Sequence, residues 1–286
     1  MTFTQKLLSY AITLQSGGGT INLSGLRSSC KIAVAGSPTA GGLADIAIYG
    51  MTLSQMNSAT VLATETNKIG KNFIKVQAGD SSGMSLLYSG TILTGWADMK
   101  GMPETCFRIS AFAGASEAVA PATPTSIQGS GDAAQISRQF SQNMALGFED
   151  AGVKVKLSKP YFSGSYRTQM QTLAEHGGFQ WCIDKDTLII CPNGQTRNGG
   201  PVMISPQTGM VGYPAFNQAG IDITTLFNPA LKIFGKIQVQ SQITPANGTW
   251  TIYNLAHDLE SITPRGHWFT EIQAERIGQQ EPGDQG

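Results

Sequence analysis

The sequence predicts a mainly β protein in which two β segments flank a small α/β insert. Three observations carry that prediction. Short alternating stretches punctuated by Gly, Pro and Asn fill the first and last thirds of the chain, as strands and turns do. Between residues 132 and 195 the apolar spacing changes to the helical period. Charged residues are 13% of 286 and glycines number 34, against averages of about 25% and roughly 7%. Such a composition suits a turn-rich β chain whose surface is partly covered by other subunits. Apolar residues at 41%, arranged in strands, exclude a disordered chain.

In chain order, Leu7 to Gln15 reads as a first strand and Thr20 to Leu23 as a second, with a turn at Gly17-Gly18-Gly19. From Arg27 to Val34, Cys30, Ile32 and Val34 alternate with Ser29, Lys31 and Ala33, the period of a half-buried strand. Ala44 to Met51 is a fourth strand, and Thr52 is placed to cap a short helix over 52–57. Strands follow at Asn72 to Ala78, Ser85 to Thr94 and Cys106 to Phe112. Gly79-Asp80-Ser81-Ser82-Gly83 makes the hairpin between the first two. This spacing argues a β-barrel or sandwich over residues 1–115.

Residues 116–131, with Pro121 and Pro124, read as a linker. Ile136, Phe140, Met144 and Phe148 then stand four apart, predicting one helix from Asp132 to Phe148. Gly152 to Leu157 alternates as a strand. Ser165 to His176 reads as a helix carrying Tyr166, Met170 and Leu173, closed by Gly177-Gly178. Phe179 to Ile183 and Thr187 to Cys191 make a hairpin about Asp184-Lys185-Asp186, completing an αβαββ insert over 132–195. Gly194 to Gly200 reads as a second flexible joint. In the segment 196–276, Lys236 to Ser241, Thr249 to Ser261 and His267 to Ile272 form a meander separated by Pro/Gly/Asn turns. The polar stretch 277–286 reads as a flexible tail.

Particular residues then carry a resemblance. The run Ser205-Pro206-Gln207-Thr208-Gly209-Met210-Val211-Gly212-Tyr213-Pro214 is the most distinctive motif of the chain. Thr225-Leu226-Phe227-Asn228-Pro229 with Leu231, and the later His267-Trp268-Phe269-Thr270, are the next. Near the start, Gly50, Met51, Met56, Asn57, Asn72, Val76, Ala78, Gly79, Asp80, Gly90 and Ile92 stand in a matching order. From about Leu23 to Ile272 the chain resembles baseplate hub proteins of tailed bacteriophages. The resemblance implies two tube-type, β-barrel-like domains flanking the αβαββ domain, and a structural role in the virion. In that role a homotrimeric ring adapts a hexameric tail tube to a three-fold central spike and lets DNA pass. The implied partners are the tail tube or distal tail protein, the spike, other baseplate proteins and, as a further contact, the tape measure protein. No cofactor is implied.

Open β edges are a liability in a monomer and become useful when neighbouring subunits cover them. The sequence reading places Val76, Val239, Trp250 and Trp268 at such subunit interfaces, on Asn72–Ala78, Lys236–Ser241 and the following strands. On that reading Val76→Asp or Val239→Asp leaves a soluble monomer.

Other chemistries find less support. Basic and acidic residues number 19 each, and no stripe of Lys or Arg suggests a nucleic-acid surface. No apolar run of about 18 residues and no signal peptide occurs, so the product is expected in the host cytoplasm before assembly. Cys30, Cys106, Cys182 and Cys191 show no C-x-x-C pair and are expected as buried thiols, not zinc ligands. A cell-wall-degrading tail enzyme is the alternative, using His257 as a base or Asp258 and Glu260 as paired carboxylates. His257 and Asp258 are adjacent on a strand and point to opposite faces, so they cannot form a base–orienter pair. A carbohydrate-binding adhesin would use Trp250, Trp268 and Phe269 as a stacking platform, although core packing explains them as well.

Overall fold

Alternation in the opening segment converts directly into buried stripes. The computed structural model describes residues 4–14, 19–62 and 72–276. The turn expected at 17–19 falls mostly outside them, as does the tail 277–286. Strands β1 (Leu7–Leu14), β2 (Gly19–Ser24), β3 (Ser28–Ala35) and β4 (Gly41–Tyr49) lead to helix α1 (Leu53–Ala59). As the sequence predicts, Thr52 caps α1: its hydroxyl accepts from Gln55 N while the Gln55 side chain accepts from Thr52 N. Strands β5 (Asn72–Asp80), β6 (Gly83–Asp98) and β7 (Cys106–Phe112) complete this segment. The β5–β6 turn leaves no space at Gly79, where a Cβ would lie 2.0 Å from the Gly83 carbonyl oxygen.

Residues 116–131 are not a bare linker. They supply helix α2 (Ala115–Val119) and strands β8 (Thr125–Ser126) and β9 (Ser130–Asp132). Their backbone partners come from further along the chain, in β12 (Tyr161–Phe162) and β11 (Lys156–Ser158), which composition cannot reveal. Asp132 caps helix α3 (Ala133–Asn143), its carboxylate accepting from Ala134 N and Gln135 N. The helix ends five residues before the sequence reading had it. Leu146 N donates to Ser141 O and Ala145 N to Gln142 O, a Schellman cap built on Ala145 at φ 55°. Phe148 consequently falls on strand β10 (Gly147–Asp150), and the strand expected over 152–157 survives only as β11. Helix α4 (Tyr166–Gly177) is stopped by Gly178 at φ 62°, as read, and Ser165, expected inside the helix, is its N-cap. Strands β13 (Phe179–Asp184) and β14 (Thr187–Pro192) form the expected hairpin, with β10 parallel to β14.

The joint expected at 194–200 is pinned. Arg197 is buried, donates to both oxygens of Glu149 at 2.7 Å and reaches Asp184 at 3.1 Å. After it come β15 (Val202–Ile204), β16 (Met210–Phe216), β17 (Ile221–Leu226), β18 (Lys236–Val239), β19 (Gly248–Ser261) and β20 (Trp268–Arg276).

The two β segments repeat one topology. In the first, antiparallel neighbours run β3-β4-β7-β6-β5; in the second they run β16-β17-β20-β19-β18. The long strands β6 and β19 each carry a bulge at the same place, between Ile92 and Thr94 and between Ile252 and Asn254. Asp45-Ile46 and Asp222-Ile223 occupy equivalent positions, opposite Ser110-Ile109 and Gln273-Ile272. Pairing of β19 with β3 fuses both repeats into a single 13-stranded sheet. One core is shared by the first repeat and the insert; a smaller one, around Ile237, Val239 and Trp250, belongs to the second.

Candidate functional site

Eight consecutive strands of the main sheet, β16-β17-β20-β19-β3-β4-β7-β6, form one continuous face, and the sheet goes on from the first half of β6 to β5, β1 and β2. Directly opposed residues of antiparallel neighbours share a face, so the registers fix which side chains lie on each side. One row reads Leu226, Phe269, Asp258, Lys31, Asp45, Ser110, Thr94. The next reads Thr224, Glu271, Ala256, Ala33, Leu43, Phe112. Leu255, Leu259, Cys30, Ile32 and Ile46 point the other way and are buried in the cores.

The outward face is polar and rich in carboxylates: Asp45, Asp98, Asp222, Asp258, Glu260 and Glu271 lie on it with Lys31 and Arg108. Local partners hold several of them. Arg108 Nε donates to Asp98 at 2.8 Å, and that hydrogen bond keeps the carboxyl below its ordinary range. Asp222 accepts from Asn217 at 2.8 Å and Gln273 at 3.0 Å. Asp258 lies 3.6 Å from Lys31 Nζ and 3.0 Å from His267 Nδ1; its hydrogen bond and charge raise the His267 pKa.

Both ends of the run carry exposed apolar side chains. At β16 these are Val211, Tyr213 (63% exposed) and Phe216 (56%). At β6 they are Trp96 (41%), with Met99 and Met102 in the following hairpin. Val61 takes both backbone groups of Gly95, leaving the β6 edge below it, at Trp96–Asp98, without a strand partner on that side among the described residues.

The residues predicted for subunit contacts lie elsewhere. Val76 and Val239 are buried, and β5 and β18 already have strand neighbours on both sides. Trp250 is buried in the second core with Nε1 donating to Ala246 O. Their side chains therefore cannot reach a neighbour without opening the protomer. Trp268 is half-buried, edge-on to Phe227, at a cleft of about 500 Å3 lined also by Lys6, Asp80, Leu226 and Pro229. Sequence reasoning passed over Tyr213, Phe216 and Trp96. Pro214 was the available signal, because a proline inside a strand marks an edge.

The enzyme candidates are separated as strand geometry requires. His257 faces inward and its Nδ1 lies 2.9 Å from Thr270 Oγ1, while Asp258 faces outward to His267. Among the described residues no group of three His, Cys, Asp or Glu is placed to hold a metal ion. All four cysteines are buried and free, as read. Burial pushes the His257 pKa down to about 3, with Lys185 adding to the shift. The unfolded imidazole titrates near pH 6.5. Stability from the neutral ring is therefore complete above about pH 6.5 and is lost as pH falls towards the folded value. The urea midpoint is expected to drop between pH 6.5 and 5, and to drop less in His257→Asn.

A family model described as "Baseplate hub gp41" matches residues 7–271. No curated protein matches. Among solved structures, the 43 kDa tail protein of prophage MuSo2 from Shewanella oneidensis is similar, with a TM-score of 0.61 at 11% identity, covering 96% of this chain and 97% of that one. A tail protein from Neisseria meningitidis MC58 gives 0.63 at 9%, covering 95% and 97%. The half-lidded PdpA–VgrG complex of Francisella gives 0.54 at 7%, covering 97% of this chain and 59% of that one.

Proposed function

This chain belongs to the baseplate hub gp41 family, a structural component of the phage tail, and on that premise we propose that three copies form a closed ring. The observation that supports the ring is the eight-stranded face bounded by exposed apolar side chains, on the edge strand β16 at one end and, at the other, on the Trp96–Asp98 part of β6 that β5 does not reach. Each copy contributes two repeats of one topology, so three copies present six similar units on one side. That matches a hexameric tail tube, while the subunits themselves keep the three-fold symmetry of a central spike. The tube or distal tail protein and the spike are then its axial partners, with other baseplate proteins and the tape measure protein around and inside it.

In this ring the carboxylate-rich face lines the channel. Carboxylates repel phosphate, and Lys31 and Arg108 are engaged with Asp258 and Asp98, so DNA passes without being held. The test is the mass of the purified chain by light scattering, alone and with other tail proteins. A mass near three times 30.3 kDa is expected in at least one condition. A monomer under every condition, including with the spike, would overturn the ring.

A further inference from the structure

The molecule contains a template for its own subunit joint. Inside one chain, the second repeat meets the first where β19 lies antiparallel to β3. By order of pairing, β19 is the second repeat's equivalent of β6, and β3 is the first repeat's equivalent of β16. The two strands used in the internal joint thus have counterparts, β6 and β16, that stand at the two ends of the eight-stranded run. We propose that β16 of one copy lies antiparallel beside β6 of a second copy, reproducing the β3–β19 joint between subunits. This rests on the ring reading and assigns its contact.

The equivalences fix a register. The bulges place Thr94 at the position of Asn254, so Trp96, Ala97 and Asp98 stand where Ala256, His257 and Asp258 do. Opposite Asp45 and Asp222 stand Lys31 and Ala215, so Ala215 and Phe216 correspond to Lys31 and Ile32. Internally Asp258 faces Lys31 and His257 faces Ile32. Between copies, Asp98 then faces Ala215 and Ala97 faces Phe216.

Three details agree with that register. Among the described residues the β6 edge has no strand partner below Gly95, and the register seats the end of β16 there without displacing Val61. Asp258 is neutralised across the internal joint by Lys31; Ala215 offers no charge, and Asp98 draws on Arg108 from its own repeat. Between Val211 and Ala215 the β16 strand has three residues where β3 has one, Cys30. This bulge carries the exposed Tyr213 towards the level of the neighbour's β6–β7 hairpin, where Met99 and Met102 are exposed. Contact between those groups removes apolar surface that each copy alone leaves in water. The joint is head-to-tail, so it closes only as a ring.

Two measurements test it. Ala97→Cys with Phe216→Cys in one chain is expected to cross-link most protomers to their neighbours on mild oxidation, while either single variant does not. In the unsubstituted protein, hydrogen exchange at Ala97, Asp98, Ala215 and Phe216 is expected to slow on assembly relative to monomer. A trimeric mass without the cross-link and without added protection overturns the joint and leaves the ring standing. Preferred cross-linking of Ala97→Cys with Tyr213→Cys overturns the register. A monomer under all conditions overturns joint and ring together.

Discussion

Val239→Asp is expected to unfold the protein from the second repeat, and the first with it, instead of yielding a soluble, folded monomer. Val239 is 1% exposed in a small core with Ile204, Ile237 and Trp250. Losing the buried valine forfeits about 1.5–3 kcal/mol of transfer free energy. Placing a carboxyl there without a partner adds several kcal/mol more, whichever protonation state it takes. Such a sum is comparable to the roughly 5–15 kcal/mol that holds a typical domain together. Val76→Asp acts on the larger core in the same way, because Val76 is wholly buried between β1 and β6 neighbours. Circular dichroism and urea denaturation decide the matter. A monodisperse variant with native spectrum and midpoint would show that the valine faces a neighbour after all.

Arg197→Ala should lower stability by about 3–5 kcal/mol, the usual result of removing one partner from a buried ion pair. The guanidinium is 8% exposed and serves two acids, Glu149 on β10 and Asp184 on β13. Without it both carboxylates remain in a site shaped for a cation. Glu149 is 29% exposed and recovers some hydration, so the lower part of that range is expected. Neutralising the acids as well, with Glu149→Gln and Asp184→Asn, should restore part of the loss, since no charge is then stranded. Chemical denaturation of the single and triple variants measures this. Equal stability of Arg197→Ala and the parent chain would mean that the arm around residue 197 is not anchored by these contacts.

Local chemistry was readable where one residue type has one job. Thr52 and Gly178 cap helices as their types require, and the alternation of Ile237 with Val239 marks a buried stripe. The end of α3 was not readable, because its left-handed position is filled by Ala145, which gives no glycine signal. The contents of 116–131 were hidden for a different reason: its short strands depend on partners some 30 residues away in β11 and β12. The residues expected at subunit contacts show the limit most clearly. Period-two patterning says that Val76 and Val239 are covered but not by what, and pairing partners are chosen over long range. The edge itself was written in Gly212-Tyr213-Pro214, inside the motif that carried the resemblance.

Strand β19 belongs to both repeats. Over Asn254–Leu259 it has β20 on one side and β3 on the other. A strand held in common cannot leave one half without stripping the other of its hydrogen bonds. The first repeat, cut from the second, would present β3 as a bare inner edge in water, with Ile32 and Val34 beside it. Melting of the two β segments is therefore expected to be coupled, with the two repeats moving as one body. In the proposed ring, load passed along a tail would travel through the backbone hydrogen bonds between β19 and β3.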